Sequence, residues 1–172
     1  MKKKEIEKFF PIPSQTSLKD KFVILKINKL MNSKTKNFIY LEIGSYLGGS
    51  LTPFLNNENC KLVISIDKRN QILDDERNEK WSYKKISEKL MIKKLKEKKL
   101  DITKLKSFDG DISDYKPKTN YDLVFIDGIH TDKNSFSDFL YALGKINKNS
   151  IILFHDSVVI FKALILINMR HF

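Results

Sequence analysis

Residues 40–50 read YLEIGSYLGGS, and this stretch decides the fold of the 172-residue chain. It begins inside an apolar run at residues 38–43, which predicts a buried strand. Gly44 then lets the backbone turn tightly and approach a ligand, because glycine has no Cβ. A short helix is expected to begin at Gly48 or Gly49. The stretch therefore predicts a strand, a turn and a helix, with a ligand crevice beyond the end of the strand.

Four other apolar runs have the length of strands, and longer amphipathic stretches separate them. The runs lie at residues 62–66, 105–108, 121–126 and 150–154, and helices are expected over a lysine-rich segment at 84–99 and over 134–146. Alternating strands and helices are typical of βαβ units, with parallel strands and right-handed crossovers. The sequence therefore predicts an α/β, Rossmann-like open sheet, mainly parallel and flanked by helices. Residues 1–36 are expected to form a helical cap, and residues 37–172 a single cofactor-binding domain.

The net charge of +11 raises the question of a nucleic-acid partner. Within residues 84–99, Ile86, Leu90 and Leu95 follow helical spacing among the lysines. No aromatic residue lies between these lysines to stack on bases. A solvated face of an amphipathic helix therefore explains this charge better than a nucleic-acid surface does.

Other features of the sequence indicate the cellular compartment of the protein. A single cysteine, Cys60, excludes a disulfide within the chain and favours a reducing environment. The apolar run at residues 158–167 is interrupted by Lys162 and is shorter than the ~20 residues that a bilayer requires. No apolar segment of a secretion signal follows the basic first residues. We therefore expect a cytoplasmic protein with no membrane partner.

The spacing of the glycines argues against a dinucleotide ligand. The dinucleotide motif is GxGxxG, which presents backbone amides to a pyrophosphate at the start of a helix. Here Gly44 is followed by Ser45, Tyr46 and Leu47 before Gly48. This turn suits an adenosine thioether without phosphate better than a dinucleotide, although a purely structural turn explains Gly44 about as well.

Acidic residues at the ends of the next strands favour the ligand hypothesis. Asp67 ends the second strand about 20 residues beyond Gly44, where a carboxylate can accept hydrogen bonds from both ribose hydroxyls of an adenosine. Asp111 follows the third strand and is placed to accept from the exocyclic amine of adenine, with Ile112 beside the ring. The alternatives are a solvated strand end and an ordinary Asp-Gly turn. Together with Glu42, these acids favour a cofactor site.

The fourth strand ends in Asp127 and His130, and the fifth ends in His155 and Asp156. The two strands should be neighbours, so the two carboxylates are expected to converge above one crevice. Close carboxylates repel each other unless a proton or a cation lies between them, and oxygen ligands suit Mg²⁺. His130 is the expected base that removes the proton of a substrate hydroxyl. His155 is expected to pack or to support a ligand.

The segments LEIGSYLGGS, SID, FDGD, DLVFIDGIH and ILFHDS occur in this order between residues 40 and 157. Together they resemble the class I S-adenosylmethionine-dependent methyltransferases. The resemblance is strongest to the O-methyltransferase branch that contains catechol O-methyltransferase and the macrocin and cephamycin enzymes (methyltransferase domain family 24). It implies transfer of a methyl group from S-adenosylmethionine to a hydroxyl of a small acceptor, of sugar or natural-product type, with assistance from Mg²⁺.

The motifs and the resemblance together assign the site residues. The residues expected to bind the cofactor are Glu42, Gly44, Ser45, Tyr46, Gly48, Ser50, Asp67, Asp111, Ile112 and Asp127. The expected catalytic residues are Asp127 and His130, and the expected metal ligands are Asp127, Asp156 and Ser157. Ser157 stands where catechol-type enzymes carry an asparagine ligand, and His130 stands where they carry a lysine. These two departures leave metal dependence and the identity of the base open.

The family's sheet normally continues past the fifth strand with a helix and an antiparallel hairpin, but only residues 158–172 follow here. We therefore expect the C-terminal hairpin to be missing. The strand at 150–154 would then form an exposed edge suited to a homodimer, and the monomer would have weak or no activity.

Three alternatives stay open at this point. A nucleic-acid methyltransferase is suggested by the charge, but the chain lacks both the Asn-Pro-Pro-Tyr type of tetrad and a Pro-Cys pair. A truncated, non-catalytic member of the fold is suggested by the short C-terminal segment. A nicotinamide-dependent dehydrogenase is disfavoured by the glycine spacing.

Overall fold

The computed structural model describes residues 2–74 and 80–157, together with residues 160, 162 and 165. The helices are α1 (Lys3–Glu7), α2 (Leu18–Lys34), α3 (Thr52–Leu55), α4 (Glu88–Glu97) and α5 (Asp132–Leu143). The strands are β1 (Phe38–Ile43), β2 (Cys60–Asp67), β3 (Ile72–Asp74), β4 (Lys80–Ser82), β5 (Leu105–Asp109), β6 (Tyr121–Ile126) and β7 (Ile146–Phe154).

Five strands form one sheet in the order β5-β2-β1-β6-β7, and every pairing within it is parallel. The chain starts at the centre with β1, builds one side through β2 and β5, and then returns to place β6 on the other side of β1. Such a reversal opens a crevice at the carboxyl ends of the two central strands. The α/β, Rossmann-like prediction is confirmed, and β6 and β7 are neighbours as expected.

The sheet is covered on both faces, which explains why its strands read as continuous apolar runs. Side chains alternate along β1, so that Phe38 and Tyr40 point to one face and Leu41 and Ile43 to the other. The first face packs against the N-terminal segment, α2, α3 and α4, where the Tyr40 ring stacks on Phe54 at 3.8 Å between centroids. The second face packs against α5.

A short antiparallel ribbon of β3 and β4 lies between β2 and α4, where the sequence predicted the lysine-rich helix alone. Its strands are three residues long, which is too short for a hydrophobic alternation to be visible. The helix itself begins only at Glu88, because the hydroxyl of Ser87 caps it by accepting a hydrogen bond from the Leu90 amide.

The last described strand begins earlier than predicted. The helix expected over residues 134–146 ends at Leu143, and β7 starts at Ile146 rather than at Ser150. The polar residues 147–149 hid this first part of the strand, and the pairing with β6 is irregular there. β7 forms one edge of the sheet among the described residues.

The predicted loss of the C-terminal hairpin concerns residues 158–172. Apart from residues 160, 162 and 165, that segment lies outside the described residues. In the part of the chain that the structure describes, no helix combines the length and the apolar character that a membrane crossing requires.

A buried carboxyl lies at the centre of the sheet. Glu42 on β1 has no exposed surface, and it accepts hydrogen bonds from the hydroxyls of Tyr40, at 2.5 Å, and of Ser50. Burial raises the pKa of Glu42 to about 8, and the two hydrogen bonds offset only part of that rise. Near neutral pH the folded protein therefore holds a proton on Glu42 that the unfolded chain releases.

This proton makes stability depend on pH. Because the folded-state pKa of about 8 exceeds the ordinary value of 4.5, the stabilisation is fully present below pH 4.5 and is lost as the pH rises through 8. We expect the free energy of unfolding, measured with urea, to fall by a few kcal/mol between pH 5 and pH 8, because each unit of pKa difference between the folded and unfolded states corresponds to about 1.4 kcal/mol. Glu42→Gln, which mimics the protonated carboxyl, should reduce this slope and leave the part due to Asp138 and His155, whose pKa values are also raised in the folded protein.

The matched control is Glu58→Gln, because Glu58 is exposed and the same charge is lost. It should leave the pH dependence as in the wild type. A slope of equal size in the wild type and in the Glu42→Gln variant would show that another group is responsible.

Candidate functional site

A cavity of about 330 Å³ opens at the carboxyl ends of the parallel strands. Its walls come from the turn after β1, the ends of β2, β5, β6 and β7, and a segment that precedes and begins α2. Among the predicted site residues, the ones that line it are Gly44, Ser45, Tyr46, Ser50, Asp67, Asp111, Ile112, Asp127, His130 and Asp156. The fold thus brings together most of the residues that the motifs singled out.

Three predicted residues lie elsewhere. Glu42 is beneath the turn and reaches the cavity wall only through its hydrogen bond with Ser50. Gly48 packs against Met91, whose Cγ would lie 3.1 Å from a Cβ on the glycine. Ser157 is exposed and does not line the cavity.

The turn after β1 is held in place by contact with the end of β6. Gly44 has a φ of +89°, and a Cβ added to it would lie 2.0 Å from the carbonyl oxygen of Asp127. Only glycine fits this position. Tyr46 also adopts a left-handed conformation, with φ at +48°, and its amide donates a hydrogen bond to Asp67 Oδ2 at 2.5 Å.

The Asp67 carboxylate therefore has a structural partner as well as a place in the cavity wall. Burial raises the pKa of Asp67, and the guanidinium of Arg69 acts in the opposite direction. Arg69 was missed in the sequence, where an arginine two residues after an acidic strand end carries no recognised signal.

The part of the cavity beyond β5 contains an acid that was not among the predicted site residues, Asp138. Asp111 caps the 3-10 turn Ile112–Asp114 by accepting from the Ser113 amide at 3.0 Å. Asp138, on α5, lines the same part of the cavity, and burial raises its pKa to about 7, with the charge of Asp111 adding to the rise. The position on the helix explains this burial, because Asp138 lies three residues from the buried Ser135 and so on the inward side of α5.

The opposite part of the cavity holds a cluster of carboxylates and imidazoles. His130 Nε2 lies 3.2 Å from Asp127 Oδ1, and His130 Nδ1 lies 3.0 Å from Asp156 Oδ2. His155 Nδ1 lies 2.9 Å from Asp127 Oδ1, and its Nε2 lies 3.3 Å from Asp20 Oδ2. Asp127 and Asp156 converge as predicted, and both imidazole rings lie against them.

His155 supplies positive charge to this cluster. Burial alone would lower its pKa, but Asp127, Asp156 and Asp20 outweigh burial and raise the pKa to about 9. A histidine that is protonated at neutral pH is a poor base and an effective counter-charge. Asp20 could not be found from the sequence, because it lies 135 residues away from His155 along the chain.

The cluster also has the donors of a metal site. Ligand atoms of Asp127, His130 and His155 all lie within 4.8 Å of one another. His155 Nδ1 is buried and makes no aligned hydrogen bond despite its closeness to Asp127. Mg²⁺ prefers oxygen ligands, whereas first-row transition ions accept imidazole nitrogen. The donor set therefore fits a transition ion such as Mn²⁺ better than Mg²⁺.

The segment before α2 closes the cavity from above. Residues 14–17 and Asp20 form part of its wall, and the Tyr83 hydroxyl donates a hydrogen bond to the Gln15 side chain at 3.1 Å. The Tyr83 ring also meets the Tyr46 ring edge-on, with 5.6 Å between centroids. The turn after β1, the ribbon and the N-terminal segment thus form one continuous roof.

Solved structures of several methyltransferases have the same fold as this chain. The O-methyltransferase of Bacillus cereus with S-adenosylhomocysteine has a TM-score of 0.65 at 15% identity, covering 97% of this chain and 78% of its own. The Streptomyces achromogenes O-methyltransferase TomG, which takes part in tomaymycin synthesis, with S-adenosylmethionine has a TM-score of 0.61 at 12% identity, covering 97% and 74%. A Podospora anserina methyltransferase with S-adenosylhomocysteine has a TM-score of 0.56 at 17% identity, covering 91% and 60%.

The chain spans 61% of the length of a matching chain from Klebsiella pneumoniae, so it is shorter than several structures of the same fold. No curated protein sequence matches it. The model of a methyltransferase domain family, family 24, matches residues 41–157, from β1 through the end of β7. This match covers more than half of the chain and includes the second half of β1 and the other four strands of the parallel sheet. The chain therefore belongs to the methyltransferase domain family and has the fold of the class I S-adenosylmethionine-dependent methyltransferases.

Proposed function

We propose that the chain binds S-adenosylmethionine in the cavity and transfers its methyl group to a hydroxyl of a small acceptor, of sugar or natural-product type. The observation that carries this proposal is the row of carboxylates along the strand ends, Asp67, Asp111 and Asp127, around the turn at Gly44. The cavity volume of about 330 Å³ is also within the range of small-ligand sites.

The cofactor is assigned to the part of the cavity between β1 and β5. Asp67 Oδ2 is occupied by the Tyr46 amide, so Oδ1 is the oxygen assigned to the ribose hydroxyls. Asp111 and Ile112 are assigned to adenine, and the turn at Gly44 and Tyr46, which lines the same cavity, is assigned to the methionine part. The solved relatives from Bacillus cereus and Streptomyces achromogenes contain S-adenosylhomocysteine and S-adenosylmethionine, which supports this ligand.

The acceptor is assigned to the part of the cavity around His130. In the reaction, the acceptor oxygen attacks the methyl carbon, the carbon–sulfur bond breaks, and its electron pair stays on sulfur. The hydroxyl proton passes to His130 Nε2, which makes the longer of the two carboxylate contacts of the ring, 3.2 Å against 3.0 Å. Asp127 and Asp156 then stabilise the imidazolium, and positioning supplies much of the remaining rate enhancement.

The same cluster supports a second proposal, divalent-metal assistance. Asp127, His130 and His155 would hold the ion, with His155 giving up its proton to do so, and a bound ion would lower the pKa of the acceptor hydroxyl. His130 would then be a ligand rather than a base. The two proposals assign different roles to this histidine, and an experiment with metal ions separates them.

Cofactor binding is tested by calorimetry with S-adenosylhomocysteine. We expect the wild type to bind, and Asp67→Asn to weaken binding about 10- to 100-fold, because hydrogen bonds to a charged group are each worth about 1.5–3 kcal/mol. Asp114→Asn, an exposed acid outside the cavity, is the control and should bind as the wild type does. No binding of either S-adenosylmethionine or S-adenosylhomocysteine to the wild type would refute the proposed function.

The base is tested by release of S-adenosylhomocysteine in the presence of a panel of sugars, catechols and phenols. With an acceptor that turns over, His130→Ala should lower kcat by about 10²- to 10⁴-fold while cofactor affinity changes little, because the loss is one of proton transfer. Lys133→Ala, on the exposed side of α5, is the control and should keep the wild-type rate. An unchanged kcat in His130→Ala would remove this residue from the mechanism.

Metal assistance is tested by thermal unfolding. An ion that binds only the folded protein raises Tm. We expect Mn²⁺ to raise Tm more than Mg²⁺ does, and Asp127→Asn to abolish the difference. Turnover that persists in EDTA, with no Tm shift from Mn²⁺, would leave His130 as the base and end the metal proposal.

A further inference from the structure

Arg69 is a cation buried beneath the turn after β1, and the mechanism so far gives it no task. Its side chain is 1% exposed, and its Nη1 has no hydrogen-bond partner. The nearest carboxylate oxygens are Asp67 Oδ2, 4.0 Å from Nε, and Asp109 Oδ1, 3.8 Å from Nη1. Burial of a charge is costly unless it is closely paired. The guanidinium is paired only loosely with these carboxylates, so other interactions must offset the cost of burying its charge.

The guanidinium contacts the turn that borders the cavity. Its Nε donates to the carbonyl oxygen of Tyr46 at 3.2 Å, and its Nη2 donates to the hydroxyls of Ser45 at 2.9 Å and Ser65 at 3.1 Å. The backbone amide of Arg69 in turn donates to Asp109 Oδ1 at 3.2 Å. The side chain thus joins the ends of β2 and β5 to the turn after β1.

Tyr46 is the residue that this arrangement constrains most. A left-handed conformation of a residue other than glycine costs roughly 1–3 kcal/mol and persists only where the surroundings enforce it. The amide of Tyr46 is held by Asp67, and its carbonyl is held by Arg69. Two side chains of the segment that ends β2 therefore fix the peptide groups on both sides of this residue.

Arg69 also acts on the charge of Asp67. Burial raises the pKa of Asp67, the charges of Asp109 and Asp127 add to the rise, and Arg69 opposes all three. An ionised carboxylate is the form that accepts hydrogen bonds from two ribose hydroxyls. Loss of the guanidinium would remove this opposition.

We propose that Arg69 is a positioning residue for the cofactor ribose, which holds Tyr46 in its left-handed conformation and orients Asp67 toward the ribose hydroxyls. Arg69 does not line the cavity, so it acts through these two neighbours rather than by touching the ligand. The inference rests on the proposed binding of S-adenosylmethionine and names a residue that controls it.

The experiment compares Arg69→Met, Arg69→Lys, Asp67→Asn and the double variant Asp67→Asn/Arg69→Met by calorimetry with S-adenosylhomocysteine. We expect Arg69→Met to weaken binding at least 10-fold. Arg69→Lys should recover part of this loss, because lysine keeps the charge but not the forked geometry. The double variant should bind about as weakly as Asp67→Asn alone, since both residues serve the same contact of Asp67 with the ribose and their losses are not additive.

A second readout isolates ribose recognition from general damage. Adenosine and 2′,3′-dideoxyadenosine compete with S-adenosylhomocysteine, and the wild type should prefer adenosine. Arg69→Met and Asp67→Asn should both lose this preference, whereas a merely structural lesion would weaken the two competitors equally. Lys106→Met, an exposed cation on β5, controls for the change in net charge and should behave as the wild type.

The outcomes separate this inference from the proposed function. A wild type that does not bind S-adenosylhomocysteine overturns both. A wild type that binds, with Arg69→Met of equal affinity or with losses that multiply in the double variant, overturns the role of Arg69 alone. If Arg69→Met does not fold, Arg69→Gln replaces it. Retention of the adenosine preference in that variant would then count against the inference.

Discussion

The whole site depends on the contact between the turn after β1 and the end of β6. The Asp127 carbonyl occupies the space that a side chain at residue 44 would need, at 2.0 Å from the position of a Cβ. This approach joins the two central strands at the point where the chain reverses its direction of travel through the sheet. The carboxylates of the cavity lie around that contact. Each is carried by a strand end on one side of it or by an element packed against those strand ends.

The cavity is acidic although the chain is basic. Among the described residues its wall contains six carboxylates, those of Asp20, Asp67, Asp111, Asp127, Asp138 and Asp156, against Lys68 and two histidines. The net charge of +11 belongs to other surfaces, including the exposed side of α4. Net charge thus describes the solvated exterior, whereas the strand ends determine the local field that a bound cation meets. The positive charge of the proposed sulfonium cofactor would match that field.

Residues that end strands could be predicted from the sequence, because strand ends are local features. The apolar run before Gly44 predicted the first strand of the sheet, and the acids at Asp67 and Asp127 predicted the position of the cavity. Residues whose role depends on distant parts of the chain could not be predicted. Asp20 near the start of α2 contacts His155 just past β7 across 135 residues of chain, and Arg69 is defined by the turn it lies beneath. The short ribbon of β3 and β4 escaped prediction because three residues carry no periodic pattern.

The N-terminal segment of the cavity roof, residues 14–17 and Asp20, forms no strand of the parallel sheet. Within this segment Asp20 lies beside His155, in the proposed acceptor region, whereas Gln15 contacts Tyr83, which packs on the turn after β1. Under the proposed function, a substitution at Asp20 would change the wall beside His155, and with it the choice of acceptor, without changing the strand ends. Diversification of specificity would then proceed through the exposed residues of this segment, whereas Ile6, Phe10 and Ile12 before it belong to the core.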